Sequence, residues 1–178
     1  MTLPRLIACY GLIAGLVCGL PLFAIFLLLK EQPPMPWGMV LGTLTMLLAF
    51  SAIFVAVKRH RDEQLGGVIR FLPAFLIGLG ISLVATVCYV LAWEAALAVS
   101  GTDFAAEYSK AALAKAQAEG AGREVLDQMA ADLAHFQALY AQPLARMGIT
   151  ASEVLPVGLL VSLIAAALLR NPRFLAAR

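Results

Sequence analysis

Three long apolar runs, at about 5–29, 37–57 and 71–99, are followed by a mixed polar stretch and then by a fourth apolar run at about 151–169. A helix rises 1.5 Å per residue, so the roughly 24 apolar residues after Arg5 reach about 36 Å, enough to cross a bilayer with some tilt. The first run is too long for the core of a signal peptide, and no small-residue cleavage site follows Leu27-Leu28-Leu29. Pro21 lies within it and predicts a kink. Two short polar breaks separate the first three runs. Lys30–Pro36 (KEQPPMP) holds three prolines that cannot continue a helix, and Trp37 follows where an interfacial aromatic would sit. Lys58–Gly67 (KRHRDEQLGG) stops the second run at Lys58, and Gly66-Gly67 predicts the turn into the third.

Between the third and fourth runs, residues 102–142 mix alanine with Glu, Lys, Asp and Gln, too polar to cross a membrane yet rich in helix formers. Two helices joined at Gly120-Ala121-Gly122 fit this stretch. In the second, Leu126, Met129, Leu133, Phe136 and Tyr140 recur at spacings of three and four, while Asp127, Gln128, Asp132 and His135 fall outside that stripe. Phe104, Tyr108, Ala111 and Ala112 give the first helix a matching face, so the hairpin is expected to close on itself. Pro143 and Gly148 are expected to end the second helix. Thr150-Ala151-Ser152-Glu153 then reads as a capping box that opens the fourth span, with Thr150 as N-cap.

Composition turns this pattern into a fold class. Of 178 residues, 62% are hydrophobic and 13% charged, and the mean hydropathy is +0.88, against an apolar share of roughly 45–50% in soluble domains. The expected fold is all-α: an integral membrane four-helix bundle with an extracytoplasmic amphipathic helical hairpin between the third and fourth spans. The sidedness comes from charge. Arg5, Lys58, Arg59, Arg61, Arg70, Arg170, Arg173 and Arg178 flank span ends on one side, which the positive-inside rule makes cytoplasmic together with both termini. A net charge of +2 with no long basic run excludes nucleic acid as a partner. The lipid bilayer is the expected one.

Small residues recur at helical spacing in every span, and in lipid they let backbones approach closely. The expected packing positions are Gly11, Gly15 and Gly19 in the first span, Gly38 and Gly42 in the second, Gly78 in the third and Gly158 in the fourth. Packing within one chain is the economical reading, and a homo-oligomer through the first-span glycines is the sharper one.

The polar candidates are few. Glu94 lies near the outer end of the third span, where an ionisable residue is a functional candidate by default. Glu153 could share an outer vestibule with it, although the capping box already accounts for that residue. His135 could pair with Asp132 on the hairpin, but no fitting Ser or Cys nucleophile accompanies them, so no catalytic residue is predicted. His60 and His135 fall on opposite sides, and Cys9, Cys18 and Cys88 lie inside apolar runs, so neither a metal site nor a cofactor is expected. In the cytoplasmic loop the basic Lys58, Arg59 and Arg61 are followed at once by Asp62, which favours a topogenic signal over a lipid-headgroup site.

The same loop carries a resemblance. Arg61-Asp62-Glu63, then Leu65-Gly66-Gly67-Val68-Ile69, Phe71, Ala74-Phe75 and Gly78, resembles the R-D-E...G-G-x-I-x-F...A-F...G pattern of bacterial membrane proteins grouped as domain of unknown function 4199. The resemblance implies a small four-span protein of the bacterial inner membrane, with no accepted activity and no catalytic residues to carry over. The expected function is accordingly non-enzymatic: a structural or interaction component whose hairpin meets a protein partner or caps its own bundle. The alternative is a small oligomeric transporter or channel with Glu94 and Glu153 at its outer mouth.

Overall fold

The computed structural model describes residues 1–28 and 36–176, with side chains placed for all of these except 25–28 and 36–39. The described residues form six helices: α1 Leu3–Leu28, α2 Pro36–Gln64, α3 Phe71–Ser100, α4 Phe104–Ala118, α5 Arg123–Tyr140 and α6 Pro143–Leu169. Four of them, α1, α2, α3 and α6, are long and apolar enough to cross a membrane. Leucines such as Leu16, Leu48, Leu83 and Leu160 stand exposed around the outside of the bundle, a surface that suits lipid and not water. The chain has the architecture of a multi-pass membrane protein.

Close backbone approach holds the bundle together. A Cβ at Gly11 would lie 2.5 Å from Val84 Cβ and one at Gly19 would lie 2.9 Å from Ala92 Cβ, while one at Gly15 would overlap Cys88 Cβ. The glycine stripe of α1 therefore seats three successive turns of α3, with the two helices parallel. The first-span glycines are used inside the chain, which takes away the surface that a homo-oligomer through them would need. Across the other face of α3, Gly78 meets Ser162 and Gly158 meets Ser82, a register that makes α3 and α6 antiparallel. Phe50 and Ile53 of α2 close over this crossing and are fully buried. Among the described residues a Cβ at Gly42 would meet nothing within 4 Å. Gly38 lies outside the residues whose side-chain surroundings are described, as do Lys30 and Arg178.

Two helix boundaries differ from expectation. Helix α2 does not stop at Lys58 but runs on to Gln64. Lys58–Asp62 at 2.5 Å and Arg59–Glu63 at 2.9 Å are i,i+4 pairs that suit continued helix. The turn is made only after Leu65, where Gly66 and Gly67 take φ of 63° and 90°, values that side chains with a Cβ resist. At the other end of the chain α6 begins at Pro143 rather than after Gly148. Proline suits the first helical turn, where its missing N–H would have no partner. Thr150 thus lies inside the helix and donates to the Arg146 carbonyl at 3.1 Å, so the expected capping box does not form and Glu153 is released from it.

Hydrogen bonds show which segments share an end of the bundle. Gln64 donates to the Met1 carbonyl, and Arg61 donates to the carbonyls of Leu169, Phe174 and Leu175. The amino terminus, the α2–α3 turn and the end of α6 therefore meet at one end. The α4–α5 hairpin stands at the other. Helix α3, 30 residues and so about 45 Å long, is longer than the ~30 Å apolar core of a bilayer, and its last turns form a post for the hairpin.

Candidate functional site

The hairpin folds because its sequence supplies each end. Asp103 accepts from the Ala106 N–H at 3.1 Å and caps α4. The expected stripe of α5 then packs on α4, with the Tyr108 and Phe136 rings 5.9 Å apart and those of Phe104 and Tyr140 5.7 Å apart. The hairpin is joined to the bundle by Trp93 of α3. Its ring meets Phe104 edge-on at 5.0 Å, and its indole N–H donates to the Tyr140 hydroxyl at 2.6 Å. Both Trp93 and Tyr140 are buried. Burial pushes the Tyr140 phenol up to about 12, with the Trp93 donor pulling the other way, so it stands as a neutral hydroxyl at physiological pH.

A second tie crosses between α3 and α6. The Arg146 guanidinium makes two parallel bonds to Glu94, 2.8 Å from Nε to one carboxylate oxygen and 2.5 Å from Nη2 to the other. It also lies 5.8 Å from the centre of the Tyr140 ring. Glu94, a candidate as an ionisable residue near the outer end of its span, has a partner 52 residues away. It is held as half of a fork-shaped ion pair.

Under the hairpin these elements line a half-open cavity of about 460 Å³. Its walls are the rings of Tyr89 and Trp93 from α3, Phe104 and Tyr108 from α4, and Phe136 and Tyr140 from α5. Met129, Leu133 and Ile149 fill between them. Thr150 and two carboxylates, Asp132 from α5 and Glu153 from α6, complete the lining, and among the described residues no Lys, Arg or His belongs to it. Glu153 is thus brought to the cavity, whereas Glu94 is turned to Arg146 outside its lining. His135 is exposed on α5 and does not reach it. Asp132, which the stripe of α5 assigns to the solvent side, is exposed and also borders the cavity, as does the exposed Glu153.

The remaining candidates have other surroundings. Ser109 is buried and donates to the Ala105 carbonyl at 2.7 Å. Among the described residues no three His, Cys, Asp or Glu side chains gather as a metal site would require. At the opposite end of the bundle Arg61 is fully buried, bonded to Asp62 at 2.7 Å as well as to three carbonyls of the α6 end. Asp62 accepts from Lys58 too, and Glu63 pairs with Arg59, so the basic cluster is matched by its own acids. His60 Nδ1 is buried with no partner among the described residues.

Residues 9–171 match the family described as protein of unknown function (DUF4199). No curated protein and no solved structure matches the chain.

Proposed function

The chain belongs to the DUF4199 family, and we propose that it is a non-enzymatic component of the bacterial inner membrane whose extracytoplasmic hairpin caps its own bundle and roofs a binding chamber. The observation that carries this reading is the Trp93–Tyr140 hydrogen bond at 2.6 Å, which fastens the hairpin over the end of α3. Aromatic walls with a few placed polar groups are the usual make-up of a small-molecule pocket. Binding over chemistry is supported by Thr150, whose hydroxyl is given to a carbonyl of its own helix. The orientation is supported by the arginines and lysines of the opposite end, which by the positive-inside rule favour a cytoplasmic position for it. A Trp37→Phe protein, with Trp93 as its only tryptophan, tests the roof by acrylamide quenching of fluorescence. Strong protection is expected, and quenching as fast as that of a solvated indole refutes the cap.

The transporter alternative has one observation in its favour, that Glu153 lies on a spanning helix and borders the chamber. Loss of a proton- or cation-dependent flux in proteoliposomes on Glu153→Gln would support it. Glu94 is a poorer candidate for such a role, because Arg146 already holds it.

A further inference from the structure

The chamber is lined by one kind of electrostatics. Ring faces carry the negative lobe of the aromatic quadrupole and attract a cation placed within about 6 Å of the ring centre. Here the rings come from three helices and contact one another in a connected wall, Trp93 to Phe104 at 5.0 Å, Phe104 to Tyr140 at 5.7 Å and Tyr140 to Phe136 at 5.2 Å. Two carboxylates, Asp132 and Glu153, face the same space from α5 and α6. The guanidinium close by, Arg146, is bound by both oxygens of Glu94, lies 5.8 Å from the centre of the Tyr140 ring and is not part of the lining, which leaves the other five rings to the chamber. Among the described residues the lining therefore holds two carboxylates and six aromatic rings, and no Lys, Arg or His.

We infer that the chamber under the hairpin binds a monovalent organic cation with an apolar body, an amine or quaternary ammonium, held by the aromatic wall and by Asp132 and Glu153. A small divalent metal ion fits the same charge less well, since it needs several oxygen ligands converging at short range. The rings supply none. The volume of about 460 Å³ lies within the range of pockets that take small organic ligands. This inference rests on the capped-chamber reading above.

The test uses the full-length Trp37→Phe protein in phosphatidylglycerol nanodiscs and two probes of equal shape, benzyltrimethylammonium and its uncharged carbon analogue neopentylbenzene. Trp93 fluorescence and calorimetry report binding. The ammonium is expected to bind at least about tenfold more tightly than the neutral analogue, through its charge on the carboxylates and the rings. Asp132→Asn and Glu153→Gln, which keep side-chain size, should each weaken it by about tenfold or more and leave the neutral probe unchanged. Asp132→Lys, which places a cation in the chamber, should abolish ammonium binding. Competition by added phosphatidylcholine would assign the same trimethylammonium chemistry to a lipid headgroup, and indifference to it would assign a free solute. Equal binding of both probes, or isosteric variants that bind as the parent does, overturns the inference. Acrylamide protection of Trp93 in the same samples separates the two claims. A protected Trp93 without charge selectivity refutes the ligand alone, and an unprotected one refutes the roof and the ligand together.

Discussion

Ser82 and Ser162 face each other at the crossing of α3 and α6 with their hydroxyl oxygens 3.3 Å apart, and each donates to a glycine carbonyl four residues earlier on its own helix, Gly78 at 2.9 Å and Gly158 at 2.6 Å. Each hydroxyl has one proton, and the shorter bonds to carbonyls claim both, so the serine pair acts mainly by fitting into the opposite glycine. The arrangement is reciprocal: Gly78 receives Ser162, and Gly158 receives Ser82. It brings the two backbones together where lipid gives helices no hydrophobic reason to associate.

Filling one of these seats should separate the helices. Gly158→Ala would place a Cβ 2.6 Å from Ser82 Oγ and 3.0 Å from Phe50 Cζ, and it is expected to lower stability by about 1–3 kcal/mol despite the better helix propensity of alanine. Ser82→Gly on the same background should recover a large part of that loss, because the obstructing side chain is then gone. Thermal unfolding in detergent checks both, and simple additivity of the two changes would show that the seats are not coupled.

Arg61 is the second fastening, at the opposite end. Arg61→Ala leaves Asp62 with Lys58 as its remaining partner and three carbonyls of the α6 end without this donor, and is expected to cost about 1–3 kcal/mol, the range for leaving buried polar groups unsatisfied. Arg61→Lys should recover little of it, because a single ammonium lacks the planar fork that reaches several acceptors. Leu175, whose φ is 50°, should be released in both variants and become open to carboxypeptidase. Unchanged digestion would show that Arg61 does not hold this segment.

The Glu94–Arg146 pair sets the position of α6 against α3 near the hairpin, with side chains 18% and 21% exposed. Glu94→Gln alone should destabilise by about 1–3 kcal/mol, since it strands a partly buried guanidinium. Adding Arg146→Met should reduce that loss. If the double variant is as impaired as the sum of the singles, the two residues do not act as a pair.

Much of the fold is legible in the residues. The four apolar runs, the turn at Gly66-Gly67 and the self-packing stripe of α5 all follow from local periodicity and composition, and the α1 glycines announce their own seam. The chamber is not legible in this way, because its lining is scattered over four helices and each member has an ordinary local meaning. Tyr89 and Trp93 read as interfacial aromatics, Phe104 and Tyr108 as one side of a hairpin, and Asp132 as a solvated acid. Thr150-Ala151-Ser152-Glu153 has the letters of a capping box, but the same letters fit a helix interior once Pro143 has started the helix a turn or two earlier. Arg61 reads as one more positive charge at a span end. Its burial depends on the end of α6 more than a hundred residues away, a relationship no local pattern records.

Whether the hairpin is fastened to α3 is decided by a double-mutant cycle between Trp93 and Tyr140, read by hydrogen exchange over α4 and α5. Trp93→Phe and Tyr140→Phe each remove one side of the 2.6 Å bond and keep an aromatic ring in place. A coupling of about 1 kcal/mol is predicted, with faster exchange confined to the hairpin in each single variant. A coupling indistinguishable from zero, with hairpin exchange as fast in the parent as in the variants, would contradict a hairpin that roofs the bundle.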